Sequence, residues 1–263
     1  MSDDEIFVSI AAAIVALWAS VATSVSGLHP LCLHRNPGPG LVRLAVIGNM
    51  VWLGIVLRFF GDPSIVGIYV GFYFLLGYAV TKFFGQVLLM LSGVSLRVDV
   101  AERRNWPAAL FVAAFTFGTG LIFGGSLWGE ADPNSDYEGG WWIPMGFFIQ
   151  GWLVMVITLA IYLVREPGRF RTGILQQRNR SEAVGAASFT LSTAVLMTSA
   201  VAGDFYGWTE GVKDVGLAAA MLVAHEFLRP PTGVPDTGGP RRACECALYL
   251  LLAVLNTVIA ITR

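Results

Sequence analysis

The sequence predicts an all-α integral membrane protein of about eight transmembrane helices. Hydrophobic residues make up 55% of its 263 residues and charged residues only 13%, whereas an ordinary soluble domain is about 25% charged. The mean hydropathy is +0.65, and several apolar runs reach the roughly 20 residues that a helix needs to cross a bilayer. We therefore treat residues 1–263 as a single polytopic domain in the lipid bilayer, without a large soluble domain.

The clearest element is a hairpin of two apolar runs in the middle of the chain. Residues 106–127 and 141–164 each have the length and composition of a membrane-spanning helix. Between them, residues 128–140 hold four acids and no Lys or Arg. We interpret this acidic segment as an outer turn and each flanking run as one span.

The remaining apolar runs predict six further helices. In chain order, the eight predicted helices cover residues 6–28, 41–60, 65–92, 106–127, 141–164, 183–203, 212–228 and 243–261. The first ends at His29-Pro30, the second at a turn over 61–64, and a loop rich in Pro and Gly at 230–242 precedes the last. The first ten residues are acidic and lack the basic start of a secretory signal, so we expect the first helix to be retained.

The distribution of Lys and Arg predicts the orientation of these helices. If successive loops alternate sides, one side holds 13 of the 17 basic residues. Basic loops mark the cytoplasmic side, so the N-terminus and the C-terminus are both predicted to lie outside. This arrangement is typical of a bacterial inner (plasma) membrane.

Parallel two-helix repeats are predicted in the middle of the chain, as hairpins at 41–92, 106–164 and 183–228. At an offset of 75 residues, Gly71-Phe72 falls on Gly146-Phe147, and the segment that starts at residue 102 falls on the segment that starts at residue 177. All three hairpins start on the predicted cytoplasmic side, so the repeats are parallel. Related hairpins can pack around a pseudo-axis, which is where transporter sites form.

One family resemblance accompanies this repeat. The start Arg103-Arg104-Asn105 precedes a helix of small residues, a Gly-rich outer turn and a return helix with Gly and Phe. Over residues 102–228 this pattern resembles the bacterial membrane family catalogued as domain of unknown function three-fifty. The resemblance implies a fold of tandem two-helix units and implies no activity. The family's Asn-Ala pairing has an approximate counterpart at residues 105–109, where Asn105 is followed by Trp-Pro-Ala-Ala, and has no counterpart at residues 180–184.

Polar side chains inside the spans are the candidates for a permeation path. They are Lys82, Gln86, Gln150, Ser192, Thr193 and Ser199. An ionisable residue within a membrane span is a functional hypothesis by default. The alternative is that Lys82 extends its ammonium towards the cytoplasmic headgroups. Hydroxyls and amides also hold membrane helices together, which is the alternative for the other five.

The acidic residues on the outer side predict a mouth that concentrates cations. Its members are Glu130, Asp132, Asp136, Glu138 and Asp204. The alternative is that these carboxylates simply belong to solvated turns.

All three His and all three Cys fall on the predicted cytoplasmic side. They are His29, Cys32, His34, His225, Cys244 and Cys246. Together they have the ligand types of a soft metal site, although their spacing matches no zinc signature. No cofactor is predicted. The spans hold no arrangement of nucleophile and base and no phosphate-binding glycine loop, so we do not predict an enzyme, and a net charge of −1 gives no case for nucleic-acid binding.

Two functions from different classes are compatible with these features. The first is a channel or transporter for a small solute or ion, lined by the polar residues of the spans. The second is a non-transporting scaffold or regulatory subunit that binds a partner through its Arg-rich loop at 165–180, either as a homo-oligomer or within a membrane complex. A transporter predicts a hydrated cavity that reaches Lys82, Gln150 or the sixth helix, whereas a scaffold predicts a dry interior.

Overall fold

The computed structural model describes residues 2–129, 140–165, 168–203, 212–228 and 240–261. The described residues form eight helices of at least 17 residues and no strand. These are α1 (Asp3–Ala22), α2 (Gly38–Phe59), α3 (Ile68–Ser92), α4 (Trp106–Gly125), α5 (Trp142–Arg165), α6 (Arg180–Val201), α7 (Val212–Leu228) and α8 (Pro240–Ile261). An isolated β-bridge joins Gly61 to Gly129.

The first six helices are long and apolar enough to cross a membrane. Among the described residues, α7 and α8 contribute only shorter apolar stretches, at Ala218–Phe227 and Ala243–Val258. The prediction of an all-helical fold is therefore confirmed within the described residues, and six helices of this length and composition are compatible with a multi-pass membrane protein. The count of eight spans and the outward orientation of both termini stay predictions.

The helix boundaries differ from the predicted ones by a few residues in most cases, and the differences have local causes. The first helix ends at Ala22 rather than near residue 28, and the chain forms a further helical turn at Pro30–Leu33. The second helix begins at Gly38 rather than at residue 41, so that Pro39 lies in its first turn. Proline is tolerated there because the first turn of a helix has no intrahelical partner for its N–H groups.

The even-numbered helices pack on one another in sequence. Helix α2 contacts α4, α4 contacts α6, and α6 contacts α8, while α1 packs on α3 and α5 packs on α6 and α7. In the most apolar stretch of α4, 83% of the residues are buried, compared with 17% in α1. Helix α4 is therefore the centre of the bundle, and α1 lies at its edge.

Small residues allow this close approach of α2, α4 and α6. A Cβ atom at Gly120 would collide with the side chain of Asn49 on α2, and one at Gly125 would lie 2.7 Å from the carbonyl oxygen of Thr198 on α6. Without a hydrophobic force between helices in lipid, such contacts supply much of the association. These glycines are required by packing rather than by backbone conformation.

A turn with an arginine in left-handed conformation precedes each of α2, α4 and α6. Arg35, Arg104 and Arg178 have φ angles of 52°, 54° and 57°, which is uncommon for residues other than glycine. Each arginine is followed by an asparagine. The side-chain oxygens of Asn36, Asn105 and Asn179 accept hydrogen bonds from backbone N–H groups at the start of the next helix. These asparagines therefore act as caps for helix donors that lack an intrahelical partner.

Two of these asparagines also donate hydrogen bonds to the segment just before the next Arg-Asn turn of the chain. The Asn36 amide donates to the carbonyls of Val100 and Ala101, each at 3.1 Å. The Asn105 amide donates to the carbonyls of Ile174 at 2.9 Å and Leu175 at 3.2 Å. The acceptors belong to π-helical segments at Leu96–Glu102 and Gly168–Gln176, which precede Asn105 and Asn179. We call this arrangement the asparagine clamp.

Candidate functional site

The first polar cluster lies between α1 and α3 and is centred on Lys82. The ammonium donates to the hydroxyl of Thr23 at 2.5 Å and to the side-chain oxygen of Gln86 at 2.6 Å. Thr23 in turn donates to the carbonyl of Ala19 at 2.7 Å. The Lys82 side chain is half-buried, and Gln86 is buried. We call Thr23, Lys82 and Gln86 the lysine cluster.

The backbone next to Lys82 is irregular. Helix α3 is α-helical from Ile68 to Lys82 and π-helical over Phe83–Val87. A π-helical turn disturbs the regular ladder of backbone hydrogen bonds, and such turns are frequent at functional sites. Here the carbonyl of Gly85 accepts a hydrogen bond from the Thr116 hydroxyl of α4 at 3.1 Å. The irregular turn thus presents a backbone acceptor to the central helix.

A buried layer of amide and hydroxyl groups continues from this turn to α2. The Asn49 amide donates to the carbonyl of Thr116 at 2.9 Å and to the hydroxyl of Thr81 at 3.3 Å. Asn49 is 1% exposed, and its side-chain oxygen accepts no hydrogen bond from a described residue. Polar groups therefore run from α1 through α3 and α4 to α2 inside the bundle.

The six candidates for a permeation path fall into separate places. Lys82 and Gln86 are brought together in the lysine cluster. Ser192 and Thr193 are adjacent and buried on α6, where the Thr193 hydroxyl donates to the carbonyl of Phe189 at 2.9 Å. Ser199 accepts from the Asn256 amide at 3.2 Å. Gln150 is half-buried on α5.

The predicted outer mouth lies outside the described residues. This applies to all five of its acids, Glu130, Asp132, Asp136, Glu138 and Asp204.

The predicted metal ligands are not gathered by the described part of the chain. No group of three or more His, Cys, Asp or Glu residues with metal-binding geometry occurs there. The His29 ring accepts from the backbone N–H of Leu31, Cys244 is exposed, and the Cys246 thiol lies 4.0 Å from the carbonyl of Val184. His29, Cys32 and His34 precede α2, whereas His225, Cys244 and Cys246 lie on α7 and α8.

A second polar cluster, which the sequence did not predict, contains His225. Its Nδ1 lies 2.7 Å from the Tyr249 hydroxyl and 3.1 Å from a carboxylate oxygen of Glu245, and Tyr249 donates to the same oxygen at 2.9 Å. All three residues are buried, with at most 4% of their surface exposed, between α7 and α8. We call His225, Glu245 and Tyr249 the histidine cluster. The signal in the sequence was the four-residue spacing of Glu245 and Tyr249, which places both on one face of a helix.

A groove reaches the histidine cluster between α5 and α7. Its volume is about 140 Å³, and it is lined by Ile161, Arg165, Leu222, Val223, His225 and Glu226. Arg165 and Glu226 form an ion pair of 2.7 Å within this lining. The groove is therefore apolar along its walls, with one ion pair and one imidazole as its polar groups.

Comparison with known proteins adds no relative to this picture. No protein-family model matches the chain, and neither a curated protein nor a solved structure matches it significantly. The resemblance of residues 102–228 to the family of tandem two-helix units therefore stays a prediction.

Proposed function

We propose that this multi-pass membrane protein moves a small polar solute or ion across the membrane, and that the lysine cluster is a binding site on its path. The observation that carries the proposal is an ammonium inside a span, beside a π-helical turn, with neutral hydrogen-bond acceptors. A charged side chain in a membrane span costs up to about 3 kcal/mol on insertion scales, the value that applies at the centre of the helix. A cost of this kind is expected where the charge has a use.

The charge of Lys82 indicates which class of solute the lysine cluster would bind. Both hydrogen-bond partners of its ammonium are neutral. Within the described residues, no carboxylate forms an ion pair with it. A net positive group attracts anions and repels cations in a low dielectric. A small anion or an uncharged polar solute therefore fits better at Lys82 than a cation does.

The proposal includes the finer architecture predicted from the sequence. We infer eight spans, with both termini outside in a bacterial inner membrane, and three parallel hairpins that are copies of one unit. The recurrence of an Arg-Asn turn before α2, α4 and α6 supports the copies. The asparagine clamp supports the same idea, because Asn36 and Asn105 hold equivalent carbonyls of the turn that follows.

The test is flux through the purified protein in liposomes. We would measure efflux of chloride, potassium and glycerol from vesicles with the wild-type chain, with Lys82→Met and with Arg58→Met. Arg58 is exposed in the last turn of α2 and makes no contact with the lysine cluster. Its replacement therefore removes a charge and leaves the cluster intact. We expect flux of at least one probe above that of protein-free vesicles, which changes with Lys82→Met and persists with Arg58→Met. Equal flux in all vesicles would refute the proposal.

The scaffold remains the second candidate, because one observation favours it. Three hydroxyls of α6 donate to the backbone of their own helix, as Thr190, Thr193 and Thr198 do to Ala186, Phe189 and Ala194. The buried Ser192 hydroxyl is an exception, because it has no hydrogen-bond partner within the described residues. Hydroxyls satisfied in this way do not need water, so the interior around α6 is compatible with a dry core. A scaffold would then bind its partner through the Arg-rich segment at 165–180.

Cysteine accessibility separates the two candidates. Single cysteines would replace Gln150 and successive residues from 183 to 202, in a variant without Cys32, Cys244 and Cys246. A membrane-impermeant thiol reagent is then applied to intact cells. Labelling of every third or fourth position indicates a wet path along α6. Absence of labelling favours the scaffold.

A further inference from the structure

We propose that the histidine cluster is a proton-binding relay, in which His225 and Glu245 exchange a proton through the hydroxyl of Tyr249. The groove between α5 and α7 connects the relay to one side of the membrane, which the charge distribution predicts to be cytoplasmic. This inference stands on residues other than those of the lysine cluster. It therefore holds or fails independently of solute transport.

The geometry joins an acid and a base inside the bundle. His225 is 1% exposed, Glu245 is 4% exposed and Tyr249 is fully buried. All three contacts between them are within hydrogen-bond distance, at 2.7, 2.9 and 3.1 Å. Burial of an ionisable group is costly unless it is hydrogen-bonded or paired, and here the Glu245 carboxylate accepts from Tyr249 and lies against the imidazole of His225.

The directions of the hydrogen bonds allow a proton to move without movement of heavy atoms. Tyr249 donates its hydroxyl proton to Glu245, so its oxygen is open to the proton on Nδ1 of His225. When the imidazole has taken up a proton on its second nitrogen, the Nδ1 proton passes to the tyrosine oxygen. The tyrosine proton passes to the carboxylate in the same event. The products are a neutral imidazole, an unchanged phenol and a neutral carboxylic acid.

Aromatic rings shield the relay from the rest of the bundle. The ring centroid of His225 lies 4.6 Å from that of Tyr162 on α5 and 6.1 Å from that of Phe189 on α6, and Phe189 lies 5.3 Å from Tyr249. Water is excluded on these sides, which strengthens the electrostatic coupling between His225 and Glu245. The groove borders the ring of His225, whose Nε2 atom is itself buried.

The neighbouring helices contribute further titratable and charged groups to this end of the bundle. Within the described residues these include Tyr162 and Arg165 of α5, Arg180 and Glu182 of α6, Glu226 of α7, and Cys244 and Cys246 of α8. Arg165 and Glu226 neutralise each other at 2.7 Å. The ion pair lines the groove beside His225 and places polar groups along the approach of a proton.

A purely structural network is the competing explanation. Buried hydrogen-bond networks of neutral groups also specify a unique packing. Such a role does not require an acid and a base in contact, nor a groove that reaches the base. It also predicts that no group of the cluster changes its protonation between about pH 5 and pH 8, the range in which imidazole titrates.

The deciding experiment is infrared difference spectroscopy of the full chain in lipid nanodiscs, between about pH 5 and pH 8. We expect a carboxylic-acid carbonyl band to appear on acidification, to be lost in Glu245→Gln and to persist in Glu226→Gln. In Tyr249→Phe the band should form after a pH jump about 100-fold more slowly, the low end of what a positioned proton-transfer group contributes. A band that Glu245→Gln leaves unchanged, or no band at all, would overturn the proposal.

A second measurement guards against a variant that does not fold. Histidine labelled with ¹⁵N is introduced into a chain in which His29 and His34, both outside the long helices, are replaced by Gln. The remaining signal reports on His225 in an otherwise intact cluster. We expect its nitrogen shifts to change over the same pH range. Shifts that stay constant would overturn the relay.

Discussion

The two polar clusters of the bundle solve the problem of a buried charge in opposite ways. The lysine cluster holds one cation, half-buried, with two neutral acceptors. The histidine cluster holds an acid and a base that are both almost fully buried. The first keeps its charge near the edge of the bundle, on α1 and α3, and the second balances its charges inside.

This difference teaches that burial and charge compensation go together in this fold. Thr23 belongs to the last turn of α1, so the ammonium of Lys82 sits near a helix end, where a long side chain can approach the interface. Glu245 has no such exit, because its side chain is enclosed by α7 and aromatic residues. We therefore expect the two clusters to respond differently when one partner is removed.

The largest effect is expected from His225→Leu. Removal of His225 leaves the buried Glu245 carboxylate without its imidazole partner, and loss of one partner of such a buried pair costs about 3–5 kcal/mol of the free energy of unfolding. The double variant His225→Leu/Glu245→Leu should recover most of this loss, because replacement of both partners by apolar groups is far less costly. Denaturant unfolding in detergent micelles measures both values. Glu226→Gln, with its half-exposed ion pair, should change stability by less than about 1 kcal/mol. Equal losses in His225→Leu and Glu226→Gln would show that burial does not set the cost of losing a partner.

The next effect concerns Asn105, which starts the helix at the centre of the bundle. Asn105→Ala removes a helix cap and two buried hydrogen bonds to carbonyls, and should cost about 2–4 kcal/mol. The matched control is Asn179→Ala, because Asn179 caps α6 from an exposed position and should cost only about 1 kcal/mol. The same unfolding assay compares them, and an equal cost would show that the asparagine clamp adds no stability.

A smaller effect is expected from Gly120→Ala, beside the amide layer near the lysine cluster. The new methyl group meets the Asn49 side chain, and such overpacking costs about 1–3 kcal/mol. Gly71→Ala is the control, because its Cβ would meet nothing within 4 Å. Thermal unfolding of the two variants measures the difference. A midpoint that falls equally in both would exclude the collision as the cause.

The smallest effect on stability is expected from Lys82→Met. The variant loses two hydrogen bonds from a charged donor, and it also removes the cost of holding that charge in the span. These terms are similar in size, so the free energy of unfolding should stay within about 1 kcal/mol of the wild type. A loss of unfolding free energy as large as that of His225→Leu would show that the two clusters contribute equally to stability despite their different burial.

Much of the helical frame could be predicted from the sequence. Apolar runs of about 20 residues gave the positions of all eight helices, and the bounds predicted for α7, 212–228, agree with the structure. This success has a physical reason, since a span in lipid must satisfy its backbone internally and so forms a helix wherever it is apolar. The placement of Lys82 within α3 followed from the same reasoning.

The side-chain clusters could not be predicted in the same way. His225 and Glu245 meet only because α7 and α8 present particular faces to each other, and hydrophobicity that surrounds a membrane helix on all sides does not mark those faces. The Arg-Asn turns illustrate a subtler failure. An offset of 75 lays Arg104 over Asn179, one residue out of step, whereas the helix caps align Arg104 with Arg178. The shared feature became visible only through backbone conformation.

The asparagine clamp also has a consequence for how the chain is made. Ribosomes release the protein from its N-terminus, so Asn36 is synthesised well before its acceptors at Val100 and Ala101, and Asn105 well before those at Ile174 and Leu175. During synthesis, the amides of Asn36 and Asn105 therefore lack these carbonyl acceptors until the segment before the next Arg-Asn turn has been made. The contacts of the asparagine clamp therefore become available in chain order, first at Asn36 and then at Asn105.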